Sequence, residues 1–264
     1  MNYGLKVLLK EPFHYLKDTE GRTFLKLCAQ YGNIPRHQSR TLKLLNKQFT
    51  FVDSWSFLWQ YYDIFFRKSY QFMVDYDQPV IIDCGGNVGT SVLFFKWLYP
   101  KSKIHCFEAD PNVYEVLSTN TGHLEDVNLL HKAVWSHNDG LKMELDHADG
   151  AHASDHGEVI PSVRLKEVLG QYDQIDLLKM DIEGAEFEVL RDCQDDLSHV
   201  DRLFVEIHTF AGQEQRVSEI LQIVEKAGFR YYIEQASEQK MPLLKKWKIS
   251  PTGMDTQLNI FGVR

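Results

Sequence analysis

Several large classes of protein need features that this sequence does not have. Its longest apolar runs fall well short of the ~20 residues that cross a bilayer, so no membrane span is expected. The opening MNYGLKVLLKEPFHYLK has no apolar core of the kind a secretion signal carries, and the expected compartment is the cytoplasm. Cysteine is scarce: Cys28, Cys84, Cys106 and Cys193 stand far apart, with no C-x-x-C and no paired spacing. That excludes a disulfide framework or a zinc knuckle, and leaves buried reduced thiols as the expectation. Cys84 and Cys106 fall in stretches that read as neighbouring strands, the one pair placed for a disulfide. Lys and Arg form no long run and the formal net charge is −8, so there is no basic field to attract a nucleic acid. Internal repeats and low-complexity tracts are also missing.

What is present is enough apolar sequence, 44% of 264 residues, to bury one large core or a main domain with an appendage. From Pro79 onward short β-rich runs alternate with helical ones, the pattern of a parallel sheet wrapped by crossover helices. The strands expected are VIIDC (80 to 84), IHCFEA (104 to 109), VNLLHKAVW (127 to 135), IDLLKMD (175 to 181), RLFVEIHTF (202 to 210), RYYIEQ (230 to 235) and LNIFGV (258 to 263). No helix separates the last two, which predicts an antiparallel pair closing a mostly parallel sheet.

Residues 1–78 have no such rhythm and are rich in aromatics, so they read as a helical extension preceding a domain of residues 79–264. In WSFLWQYYDIFF the side chains of Trp55, Leu58, Trp59, Tyr62 and Phe65 recur at three- and four-residue spacing, as on one helix face. The expected role of that face is packing against the main domain; the alternative is a cap over a substrate pocket or a homodimer surface.

The most informative stretch is VIIDCGGNVGTS, a strand running through an acid into three glycines and then a helix. Such a turn presents backbone N–H groups and a positive helix end to a ligand. A P-loop needs a Lys after the last glycine, and Gly89 is followed by Thr90. The dinucleotide fingerprint aligned on Gly86 and Gly89 needs glycine where Cys84 stands. A third ligand is a nucleoside without phosphates, whose cationic amino group Asp83 would receive; S-adenosylmethionine has that character. Glu108 ends the next strand, where an acid accepts both hydroxyls of a ribose, whichever nucleoside cofactor carries it.

Taken together, DCGGNVGTS, FEADPNVYEVL, HKAVWS, PSVRLKEVL, DLLKMDIEGAEFEVL and VEIH resemble the FkbM-type S-adenosylmethionine-dependent methyltransferases, over residues 80 to 235. The resemblance implies an α/β, Rossmann-like class I methyltransferase fold with a seven-stranded sheet. It also implies O-methylation of a hydroxyl on a sugar, glycan or small natural-product metabolite. Methyl transfer is an in-line displacement, so its residues must chiefly position an oxygen against the sulfonium methyl. On that reading Asp83, Gly85, Gly86, Asn87 and Gly89 surround the methionine part of the cofactor and Glu108 its ribose. Ala133 and Val134 border the adenine; Trp135, which follows them, is expected in the core, with a place beside the adenine as its alternative.

Asp181, at the end of the fourth strand, is assigned to the cofactor amino group or the substrate hydroxyl. Glu206 and His208 share one face of the fifth strand, and one of them is the expected general base. A metal-free site is the first expectation. The alternative sets Asp181, Glu206 and His208 around a divalent ion that acidifies the hydroxyl. Glu183 and Glu186 suit the first turn of the following helix. The cluster His147, Asp149, His152, Asp155 and His156 is expected to be a solvated loop, and KKWK at 245 to 248 an exposed charge run. Two other functions compete: a nicotinamide-dependent oxidoreductase, which Cys84 and the DIEGAE segment oppose, and a non-catalytic nucleoside-binding module.

Overall fold

A computed structural model of the chain describes residues 15–144, 157–236, 249 and 253–264, and the backbone of 152–153. Its first described elements are helix α1 (Thr19–Tyr31), strands β1 (Arg40–Leu44) and β2 (Lys47–Phe51), and helix α2 (Ser54–Gln60), which runs into a π-helical turn over Tyr61–Phe66. The domain that follows is built from β3 (Val80–Cys84), α3 (Thr90–Leu98), β4 (Lys103–Glu108), α4 (Pro111–Thr121) and β5 (Val127–His131). Next come the short strands β6 (Ala133–Trp135), β7 (Leu141–Glu144), β8 (His152–Ala153), β9 (Glu158–Ile160) and β10 (Ser162–Arg164), then helix α5 (Leu165–Leu169). The second half holds β11 (Leu177–Met180), α6 (Glu186–Cys193), β12 (Arg202–Phe210), α7 (Val217–Lys226), β13 (Arg230–Gln235) and β14 (Met254–Val263).

Seven strands form one sheet in the order β13-β14-β12-β11-β3-β4-β5. The five strands from β12 to β5 are parallel, and β14 runs antiparallel to both of its neighbours, β12 and β13. The antiparallel closure is as expected, with β14 inserted between β12 and β13. Side chains alternate across the strands, so Ile81 and Leu177 enter the core on one face while Ile82 and Leu178 enter the core on the other. Burial on both faces explains why these strands are apolar without interruption.

Three local readings need correction. The run VNLLHKAVW is two strands: β5 joins the sheet, whereas β6 turns away after Lys132 and pairs in parallel with β10. Within the N-terminal stretch expected to be helical, the chain also folds a hairpin, β1–β2, turned by Leu45 and Asn46 at positive φ. The aromatic stripe is shifted too. Phe57, Leu58, Tyr61, Ile64 and Phe65 are buried, while Trp59 is 49% exposed. These buried positions keep the three- and four-residue spacing of one helix face, so the stripe is turned and not broken; the π-helical turn shows in the Arg67 N–H donating to the Tyr62 carbonyl. The buried face packs on α3, with Phe65 edge-on to Phe94 at 5.3 Å. All four cysteines are free and buried. No helix among the described residues is long and apolar enough to cross a membrane. Of the cluster from His147 to His156 the backbone of His152 is described, in β8, and its other members and the KKWK run lie outside the described residues.

Candidate active site

The direction of strand progression reverses between β3 and β11, and beyond their carboxyl ends lies the crevice where open α/β sheets bind ligands. The glycine turn is what lets these two strand ends meet. Gly85 has φ +87°, and a Cβ there would lie 1.9 Å from the backbone oxygen of Asp181. The Gly85 and Gly86 N–H groups both donate to the Phe107 carbonyl, at 3.0 and 2.9 Å, which ties the turn to β4. Gly86 is equally constrained, since its Cβ would sit 2.1 Å from Cys106 Sγ.

Gly85, Asn87, Glu108, Ala133, Val134 and Asp181 line one cleft, with Trp135 beside them. Glu108 is buried at its edge. One carboxylate oxygen accepts from the Asn87 N–H at 2.8 Å and the other from the Asp110 N–H at 2.9 Å. Burial nevertheless outweighs these bonds and pushes its pKa up to about 7.

Asp83 does not reach this cleft. Its carboxylate is sealed inside, accepting from Ser91 Oγ at 2.6 Å and lying 3.2 Å from Lys179 Nζ. The cation it receives is therefore internal. Burial raises the Asp83 pKa, against the pull of Lys179. Lys179 also donates to the Gly85 carbonyl and lies 3.6 Å from Asp181 Oδ2. Burial works against its ammonium, but Asp83 and Asp181 outweigh that and hold it protonated. Gly89 caps α3 at φ +91° and packs against α4, away from the cleft wall.

A second cavity adjoins the first. Trp55, Trp59, Asp63 and Tyr70 wall it from the N-terminal segment, and Glu206, Gln257 and Asn259 from the sheet. Gln60, Asp181 and Glu183 border both cavities. Here the structure brings together Asp181, Glu206 and His208, as the sequence suggested, and adds Glu183 and Glu186. Nδ1 of His208 lies 3.1 Å from Glu186 Oε1. Its Nε2 faces Glu183 and Glu206 at 3.6 Å and Asp181 at 4.0 Å. Burial alone would lower the His208 pKa, but the surrounding carboxylates, Glu183 foremost, raise it well above the imidazole range. Burial pushes Glu206 up to about 8 and Glu183 well above the usual carboxylate range, with neighbouring acids adding to both.

Glu186 fills the expected helix-start role, since its carboxylate accepts from the Gly184 N–H at 3.1 Å and the Ile182 N–H at 3.3 Å. It also orients His208, which spacing alone did not reveal. Lys179 was missed as well. The available signal was a cation in the middle of the apolar run DLLKM, where burial on both faces demands a partner.

Strand order, switch-point cleft and glycine turn define a Rossmann-like class I methyltransferase fold. The S-adenosylmethionine-dependent methyltransferase from Agrobacterium tumefaciens shares it, with a TM-score of 0.51 at 11% identity over 88% of this chain and 72% of that one. The family model for the Methyltransferase FkbM domain matches residues 83–231, and the chain belongs to the FkbM methyltransferase family. It is 27% identical over 208 residues to Methyltransferase 1 of Beauveria bassiana, covering 65% of this chain and 80% of that one. It is 25% identical over 158 residues to the 2-O-methyltransferase NoeI of Sinorhizobium fredii, covering 51% of this chain and 65% of that one.

Proposed function

We propose that the chain transfers a methyl group from S-adenosylmethionine to a hydroxyl of a small acceptor, a sugar, glycan or related metabolite. The observation that carries this reading is the shared border: the cleft beside the glycine turn and a second cavity meet at Gln60, Asp181 and Glu183. A methyl donor in one and a hydroxyl acceptor in the other would bring the reacting atoms together there, which is most of what an in-line displacement requires.

Glu108 accepts the ribose hydroxyls, Ala133, Val134 and Trp135 border the adenine, and the turn from Gly85 to Asn87 holds the methionine part. Asp83 and Lys179 brace that turn from behind. In the transfer the acceptor oxygen forms the new C–O bond and the C–S pair returns to sulfur, leaving a neutral thioether. The hydroxyl proton passes to the carboxylate–imidazole cluster. A wall of indole and phenol rings with carboxylate and amide groups suits a ring bearing hydroxyls, apolar on its faces and polar at its rim. The name of NoeI, a 2-O-methyltransferase, agrees with an oxygen acceptor.

Calorimetric titration with S-adenosylhomocysteine, with NAD as control, tests the donor. Micromolar binding of the homocysteine nucleoside alone is expected, followed by a one-methyl mass gain on a hydroxylated acceptor in a screen. Binding of NAD in its place would sink the reading.

A further inference from the structure

His208 poses a problem that methyl transfer by itself does not solve. Its ring is fully buried, yet Nε2 has no hydrogen-bond partner among the described residues. The three carboxylate oxygens facing it stand at 3.6, 3.6 and 4.0 Å, beyond hydrogen-bond length and converging on the same point. The other ring nitrogen is committed. Nδ1 lies 3.1 Å from Oε1 of Glu186, an acceptor when ionised, so a cation that displaces the Nε2 proton would meet the Nε2 lone pair pointing at the carboxylates.

The charges are also unequal. Asp83, Asp181, Glu183, Glu186 and Glu206 converge on this end of the sheet, and among the described residues they are faced by one ammonium, that of Lys179, and by the His208 ring. Asp83 and Glu186 are buried while Asp181, Glu183 and Glu206 are partly open to the cavities, and like charges this close disfavour one another's ionised form. One donor atom each from Asp181, Glu206 and His208 lies within 4.8 Å of the others. Two donors bound to one cation at ~2.1 Å stand roughly 3 to 4 Å apart, so the observed spacings need little adjustment to close on an ion.

We propose that Asp181, Glu206 and His208 form a binding site for one divalent cation, with Glu186 as the positioning residue behind the histidine. Two carboxylates and one imidazole suit Mn2+ among the abundant hard divalent cations, with Mg2+ a weaker fit for want of an all-oxygen set. Asp181 and Glu206 line the second cavity, so the open coordination positions face the acceptor, and one of its hydroxyl oxygens completes the set. What the ion does for the acceptor rests on the methyltransferase reading; whether the ion binds does not.

The test is Mn2+ titration of the full chain, followed by electron paramagnetic resonance and by thermal unfolding, with S-adenosylhomocysteine affinity measured in parallel. One Mn2+ per chain and a raised Tm are expected. Glu206→Gln, nearly isosteric, should weaken Mn2+ at least tenfold while leaving nucleoside affinity within twofold. Glu186→Gln should weaken Mn2+ between tenfold and a hundredfold, the usual cost of losing a partner behind a ligand. A merely structural Glu186 would lower Tm and leave Mn2+ affinity unchanged. A cooperatively folding protein that takes up neither Mn2+, Mg2+ nor Zn2+, or binds Mn2+ equally well after Glu206→Gln, overturns the site. Mn2+ binding lost on Glu206→Gln, in a protein that does not bind the nucleoside, supports the site and removes the methyltransferase reading of the cleft.

Discussion

The ammonium of Lys179 lies 3.2 Å from Oδ1 of Asp83, and both side chains are closed off from solvent beneath the glycine turn. A buried pair of this kind is most sensitive to loss of one partner, because the other charge is then stranded. Lys179→Met is expected to destabilise the protein by about 3 to 5 kcal/mol in urea unfolding. The double variant Lys179→Met, Asp83→Asn should recover most of that loss; no recovery would mean that the two side chains do not compensate one another.

Gly85 and Gly212 share a positive φ, +87° and +86°, but only Gly85 has a backbone atom in the way of a Cβ. Gly212→Ala should cost only the left-handed strain, about 1 to 2 kcal/mol. Gly85→Ala should cost at least ~2 kcal/mol more, since it must push Asp181 aside, and should depress methyl transfer in the same variant. Equal costs in chemical denaturation would show that the strands are not held apart by so little.

Glu108 links pH to both stability and cofactor binding. Its pKa rises to about 7 in the folded protein from a carboxylate's ordinary 4.5. A raised folded pKa contributes stability fully below the unfolded value, and that stability is lost as pH climbs through 7. The unliganded protein should therefore show Tm falling across this range, and Glu108→Gln should remove that part of the slope. Nucleoside affinity should run the other way, strengthening as the ionised carboxylate becomes the better acceptor. Glu108→Ala is expected to weaken S-adenosylhomocysteine by about 1 to 3 kcal/mol.

Trp59 borders the second cavity and not the first. Trp59→Ala should raise KM for the methyl acceptor several-fold while changing S-adenosylhomocysteine affinity little, the signature of lost acceptor binding. A matching loss of nucleoside affinity would place the acceptor elsewhere.

Much of this architecture can be read in the sequence because the parallel strands are sandwiched. VIIDC and DLLKM are apolar on both faces, and the glycine turn between strand and helix has few structural uses. The carboxylates at the strand ends follow from the same register, so Asp181, Glu206 and His208 could be grouped before any coordinates. The hairpin β1–β2 was hidden because its strands, RTLKL and KQFTF, are half polar and its turn is Leu45–Asn46 in place of the familiar Asn-Gly. Its period-two signal, Leu42 and Leu44 against Phe49 and Phe51, was there but short. The inward position of Asp83 was unreadable for another reason: whether an acid at a strand end faces ligand or core depends on a partner, Lys179, 96 residues further along.

The N-terminal aromatics and the sheet do not merely touch. Phe24, Phe57 and Phe65 belong to the same continuous core as Ile81, Phe94 and Phe204. A fragment starting at residue 79 would therefore lack half of the packing on one face of its sheet, and should aggregate or stay molten instead of surviving as a smaller enzyme. Heating the full chain should give a single transition, with the acceptor wall and the chemistry melting together. Acceptor preference in such a protein changes by substitution within the wall, one ring or amide at a time, because the wall cannot be exchanged as a unit without also replacing the foundation on which the sheet folds.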